Sequence, residues 1–133
     1  MIEYGDQRYP TISPYLYYED GVAAMDWLAT AFGFKERMRT IHADGSLGHA
    51  EMELGNGVIM IGCSPEHKNP ANLGQVTVGI YVHVEDVDAH YEQAKAAGAQ
   101  VDGAPSDRSY GVRSYGALDP EGHQFWFSQP LAD

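Results

Sequence analysis

At 133 residues, 44% of them hydrophobic, the chain is long enough for one domain with its own core and too short for two. Nineteen acidic residues against eight basic ones give a formal net charge of −11, which repels phosphate backbones, argues against nucleic-acid binding and attracts cationic small molecules. The single cysteine, Cys63, rules out an internal disulfide and fits a reducing cytoplasm, while no apolar stretch approaches membrane-spanning length and the segment from Met1 to Asp6 lacks the basic and apolar regions of a signal peptide.

Thr11 to Tyr18 is predicted as a strand, with Pro10 and Pro14 suggesting an edge or an arm rather than a central ladder position. Asp20 is placed to cap a helix from about Val22 to Phe32, and Gly33 stops it. Lys35 to His42, Gly48 to Leu54 and Val58 to Gly62 then read as three strands, joined by hairpin-type turns at Asp44-Gly45 and Asn56-Gly57. Ser64 to Leu73, with two prolines and two asparagines, reads as a linker. Beyond it a strand is expected over Val76 to Val84, a helix over Asp88 to Ala97, and a short strand near Ala99 to Val101. Strands around Arg113 to Leu118 and His123 to Ser128 close the chain, and Gly103 to Gly111 has the composition of a mobile loop.

The pattern occurs twice. The strand ending in Tyr18-Glu19-Asp20 is followed by a helical pattern through Trp27, Leu28 and Phe32; the strand ending in Val84-Glu85-Asp86 is followed by one through Val87, Tyr91 and Ala94. Gly33 and Gly98 close the two helices. Each unit then enters β-rich sequence with a turn signal near its end, Gly55-Asn56-Gly57 in the first and Asp119-Pro120-Glu121-Gly122 in the second. A period of about half the chain argues for two copies of one strand–helix–strands module.

With the helix ends at Phe32-Gly33-Phe34 and Ala96 to Ala99, and the turn from Asp119 to His123 leading into an aromatic strand, the ordered set resembles the vicinal oxygen chelate superfamily. That family includes glyoxalase I, extradiol dioxygenases, fosfomycin-resistance proteins and bleomycin-resistance proteins. The resemblance implies an α+β fold in which two β-α-β-β-β modules form curved mixed sheets around a cleft. It places a single domain over 1–133, with module one at about 11–63, a linker at about 64–75 and module two at about 76–129, and it implies a homodimer. The family's enzymes usually hold a divalent metal at positions that align here with Ser13, Met60, Gly79 and Trp126. Only Ser13, weakly, could serve as a ligand, and shifting any position by one residue brings in no better donor. The expectation is therefore no metal and no other cofactor, with a divalent metal held by unorthodox ligands as the alternative.

Alternation along the strands suggests what fills the cleft instead. If Ser13 and Gly79 face inward, so do Tyr15, Tyr17, Tyr81 and His83, and Trp126 brings Gln124 and Ser128. Tyr15, Tyr17, Met60, Tyr81, His83 and Trp126 are the candidate ligand-binding residues, offering flat contact area and hydroxyl or indole donors. Tyr and Trp are equally ordinary strand residues. His49, Glu51 and Glu53 share one strand face. That face is either solvated, with Ala50, Met52 and Leu54 buried opposite, or part of a metal set of His49, Glu51 and His83. His42, His67 and His90 read as surface residues, and His123, after its turn, as structural.

Two functional readings follow. One is a metal-free small-molecule-binding protein resembling the bleomycin-resistance proteins, which take up a flat or cationic organic ligand and confer antibiotic resistance. The other is a glyoxalase-like metal-dependent lyase or isomerase whose catalytic residues the sequence does not name. A third, in which the fold serves only as an assembly unit, stays open beside them. In each case the protein is expected in the cytoplasm, free of nucleic acid and membrane.

Overall fold

The computed structural model describes residues 2–132. They divide into two compact units, one of residues 2–29 and 33–68, the other of 30–32 and 69–132. The architecture is α+β, with mixed sheets that remain open.

The first unit begins with a hairpin of β1 (Ile2–Tyr4) and β2 (Gln7–Tyr9). It continues through β3 (Tyr15–Tyr17), α1 (Gly21–Phe32, its last residues counted with the second unit), β4 (Lys35–Ile41), β5 (Leu47–Leu54) and β6 (Gly57–Gly62). The sheet order is β3-β6-β5-β4, with β3 parallel to β6 and the other pairs antiparallel. Asp20 caps α1 as expected, its Oδ1 accepting from the Ala23 amide at 3.1 Å. Gly33 ends the helix in the left-handed conformation, φ 83°, donating its amide to Ala29. Leu16, Met25, Leu28, Ala50, Met52 and Ile61 are all buried and make up much of this unit's core.

Two expectations change here. The predicted strand Thr11 to Tyr18 is ordered as a strand only over Tyr15–Tyr17, because Pro10 and Pro14 lack the amide a ladder needs; Pro14 contributes its carbonyl alone, to Met60 N at 2.8 Å. The residues before it, for which no element was expected, form the hairpin.

The second unit holds α2 (Pro70–Leu73), β7 (Gly79–His83), α3 (Val87–Ala96), β8 (Gln100–Val101), β9 (Ser106–Asp107), β10 (Val112–Leu118) and β11 (Gln124–Pro130). Its sheet runs β7-β11-β10-β8, with β9 also on β10 and with β7 parallel to β11. Asp86 repeats the role of Asp20, accepting from Ala89 N at 3.1 Å. Val87, Tyr91 and Ala94 of α3 are buried, as are Tyr115, Ala117, Phe125 and Phe127, which alternate along β10 and β11 onto the core face.

The segment read as a linker contains α2, capped by Asn69, whose side chain donates to Glu121 at 2.8 Å. The loop from Gly103 to Gly111 contains β9, tied to β10 through Arg113 and Asp107. His90 is not a surface residue. Its Nε2 lies 2.9 Å from the Phe32 carbonyl and must donate, so Nδ1 accepts from the Tyr115 hydroxyl at 2.6 Å. The helical periodicity that buries Val87, Tyr91 and Ala94 turns this flank of α3 inward too. Burial holds the imidazole below its ordinary pKa. Among the described residues no helix is long and apolar enough to cross a membrane.

Candidate functional site

Each unit presents one sheet face that is not covered by its helix. In the first unit, register places Tyr15, Met60 and Glu51 in one row across β3, β6 and β5, and Tyr17, Gly62 and His49 in the next row on the same face. His49 and Glu51 therefore share the face of the predicted ligand-binding residues Tyr15, Tyr17 and Met60. The side chains are linked as well. The Tyr15 hydroxyl lies 3.0 Å from His49 Nδ1, and His49 Nε2 lies 3.9 Å from Glu51 Oε2. Tyr17 stacks on His67 with centroids 3.8 Å apart. A β-carbon on Gly62 would come within 3.0 Å of Tyr15 Cζ, so this glycine is what lets the phenol lie down on the sheet.

The solvated-face expectation fails at Glu51, which is 7% exposed. Tyr9, on the N-terminal hairpin, covers it and donates to Oε1 at 2.7 Å. Arg37 comes within 4.0 Å of both Glu51 and Glu53 and lies 4.5 Å above the Tyr9 ring. Arg37 reaches this face because it is the extra residue of a β-bulge, Glu36 pairing with Met52 and Met38 with Glu51. The hydrogen bond to the carboxylate, then burial, raises the Tyr9 pKa, and burial raises that of Tyr15. A cavity of about 440 Å³ adjoins these groups, lined in part by Tyr4, Tyr9, Ser13, Glu51 and Met60.

In the second unit, Tyr81 and Gly116 flank Trp126 in register, while His83 and Ser114 flank Ser128. Trp126 is 38% exposed although Phe125 and Phe127 beside it are fully buried, which fixes the side of the sheet it occupies. Gly79 and Gly116 make room for the indole. A β-carbon on Gly116 would approach Trp126 Cδ1 and Nε1 to 3.1 Å. The predicted residues Tyr81, His83 and Trp126 thus share one face. Tyr81 and His83 are in ring contact at 5.3 Å between centroids.

The donors present do not make the family's usual metal centre. Met60, Gly79 and Trp126 supply no suitable ligand, and His49 with Glu51 makes a pair where at least three donors are needed. Among the described residues no group of three or more His, Cys, Asp and Glu side chains is gathered to hold a metal. Sequence reasoning passed over Tyr9 and Arg37. A hairpin before a proline and a bulged arginine leave no periodic trace.

Comparison with known proteins agrees with this architecture. The Glyoxalase/Bleomycin resistance protein/Dioxygenase superfamily matches residues 11–127. An uncharacterized protein of Mycobacterium bovis is 33% identical over 130 residues, covering 93% of this chain and 86% of that one. The crystal structure of TioX from Micromonospora sp. ML1 superposes with a TM-score of 0.75 at 34% identity, covering 90% of this chain and 98% of TioX. FosX of Listeria monocytogenes, a genomically encoded fosfomycin resistance protein, shares the fold at 16% identity, with a TM-score of 0.69 over 94% of this chain and 96% of its own. The chain belongs to the glyoxalase/bleomycin resistance/dioxygenase superfamily.

Proposed function

We propose that this superfamily member is a small-molecule-binding protein without a resident metal, holding a flat organic ligand against its aromatic sheet faces. The observation that carries the reading is Trp126, a large apolar ring left partly exposed on a strand whose neighbouring aromatics are wholly buried. Tyr81 adds to this surface on the same sheet, and Tyr15, Tyr17 and Met60 make a surface of the same kind on the first unit's own sheet. The net charge of −11 favours ligands with positive charge at long range. The superfamily's name includes the bleomycin-resistance proteins, and by that likeness the binding is read as sequestration that serves antibiotic resistance. The protein pairs as a homodimer, which covers the open sheet edges; light scattering at micromolar concentration tests this.

The test of binding is tryptophan fluorescence in a Trp27→Phe background, titrated with phenazine-type or bleomycin-type cations. Binding should quench Trp126, and Trp126→Ala should weaken it by on the order of a few kcal/mol. Equal affinity in the Trp126→Ala variant, measured by calorimetry, would sink the reading.

One observation favours a second reading, a glyoxalase-like lyase or isomerase. His49 sits between the Tyr15 hydroxyl and the buried Glu51, an arrangement suited to moving a proton. Stoichiometric Zn, Ni, Mn or Fe in protein purified without added metal or chelator would favour it.

A further inference from the structure

Four arginines, Arg8, Arg37, Arg39 and Arg113, each sit within 4.0 Å of a carboxylate. Arg108, in the second unit, has no such partner among the described residues, despite the large excess of acid in the chain. Its guanidinium is instead fixed by one residue: Nε donates to Ser114 Oγ at 2.9 Å and Nη2 to the Ser114 carbonyl at 3.2 Å. The backbone is fixed too, Arg108 N donating to Val112 O at 2.7 Å and Gly111 N to Arg108 O at 3.2 Å. Of the guanidinium's five N–H groups, these contacts leave the remainder unassigned.

Beside it stands a second unfilled group. Ser128 is fully buried, and its Oγ is the buried side-chain polar atom left without a hydrogen-bond partner among the described residues. Ser114 and Ser128 are register partners, so both side chains leave the same sheet face, with β-carbons about 5 Å apart. His83 flanks Ser128 from the other side. Trp126 is the next residue of β11 on this face, roughly 7 Å away. At the Trp126 level the charge has the opposite sign, since Asp102 accepts from Gly116 N at 2.9 Å. The face therefore runs from a carboxylate at one row to an unpaired guanidinium and an orphaned hydroxyl at the next.

We infer that this face binds the acidic group of a flat ligand, a carboxylate seated between Arg108 and Ser128 Oγ while the ring lies on Trp126. Guanidinium and hydroxyl are the donors a carboxylate takes, and the spacing suits an acid borne directly on an aromatic ring. The inference rests on the ligand-binding reading above and narrows it. The net charge of the whole chain governs encounter, whereas Arg108 governs the bound pose. A zwitterion with its cationic end toward Asp102 satisfies both.

The experiment uses the full chain carrying Trp27→Phe and three probes that share one ring system and differ in the single group it bears, anionic, neutral or cationic: 2-naphthoate, 2-naphthalenemethanol and 2-naphthylmethylamine, titrated by calorimetry. The naphthoate should bind about tenfold or more tighter than the alcohol, the usual scale for a hydrogen bond to a charged group. Arg108→Gln should erase that preference and Arg108→Lys should keep part of it. Ser128→Ala should weaken the naphthoate alone, with no loss of melting temperature, because the hydroxyl it removes has no partner in the folded chain. If the alcohol binds as well as the acid, or if Arg108→Gln keeps the preference, the inference is overturned while the ligand-binding reading stands. If none of the three probes binds, the inference is overturned, and the ligand-binding reading is decided separately by the phenazine-type titration.

Discussion

The indole of Trp126 lies so close over Gly79 that a β-carbon on the glycine would come within 3.0 Å of three ring carbons, Cζ3, Cε3 and Cη2. Real side chains do not tolerate such contacts, so Gly79→Ala must lift the indole off β7. The expected outcome is a shifted Trp126 emission maximum in the Trp27→Phe background and a stability loss of about 1–3 kcal/mol by denaturant titration. An unchanged emission spectrum would mean that the ring does not rest there.

The two helices begin on equivalent caps, Asp20 and Asp86, each accepting from an amide at 3.1 Å. Removing either side chain leaves that amide without its partner. Asp20→Ala and Asp86→Ala should each cost about 1 kcal/mol, and the double variant about the sum. Thermal or urea unfolding of the three variants checks this.

His90 is held below its ordinary pKa by burial. The unfolded chain therefore binds a proton more readily than the folded one. The stability this neutral imidazole supports is fully present above the unfolded value of about 6.5 and is lost as pH falls below it toward the folded pKa. Melting temperatures measured from about pH 7 to about pH 5, roughly the window of a histidine, should fall more steeply in wild type than in His90→Gln. Parallel curves would assign the acid sensitivity to other groups.

Glu51 accepts from Tyr9 and faces Arg37 while almost buried. Glu51→Ala removes the acceptor and leaves the phenol and the guanidinium in place, with Arg37 still near Glu53. A loss of about 1–3 kcal/mol is expected. In Glu51→Gln the anionic acceptor is gone, so Tyr9 should titrate nearer its ordinary value, read as the earlier onset of the tyrosinate band at alkaline pH.

The two-module pattern was legible because it rests on local chemistry. The Asp20 and Asp86 caps, the Gly33 stop and the glycine turns are each fixed by neighbours in sequence, and their recurrence exposed the repeat. The face shared by Tyr81, His83 and Trp126 also followed from alternation along β7 and β11. Glu51 did not, because its burial depends on Tyr9, far away in sequence, and on a bulge that turns Arg37 toward it. His90 was misread for a related reason. A polar residue beside an apolar helical stripe looks solvated until the partners that satisfy it, Phe32 O and the Tyr115 hydroxyl, are known. Arg108 sits in a segment whose Gly, Pro and Ser content hides that its guanidinium is fixed.

In both units the strand that leads into the long helix pairs in parallel with the last strand, β3 with β6 and β7 with β11. Such a pairing closes a loop that contains the helix and the intervening strands, so it is the most non-local strand contact of its module. Trp126 meets Tyr81 across that final seam. Anything seated on the two rings thus bridges the opening and closing segments of one module, and acts as a clasp on its most non-local junction. Amide hydrogens of β7, which forms an edge of its sheet, should exchange more slowly once the rings are occupied, giving a readout of occupancy that depends on no optical property of the ligand.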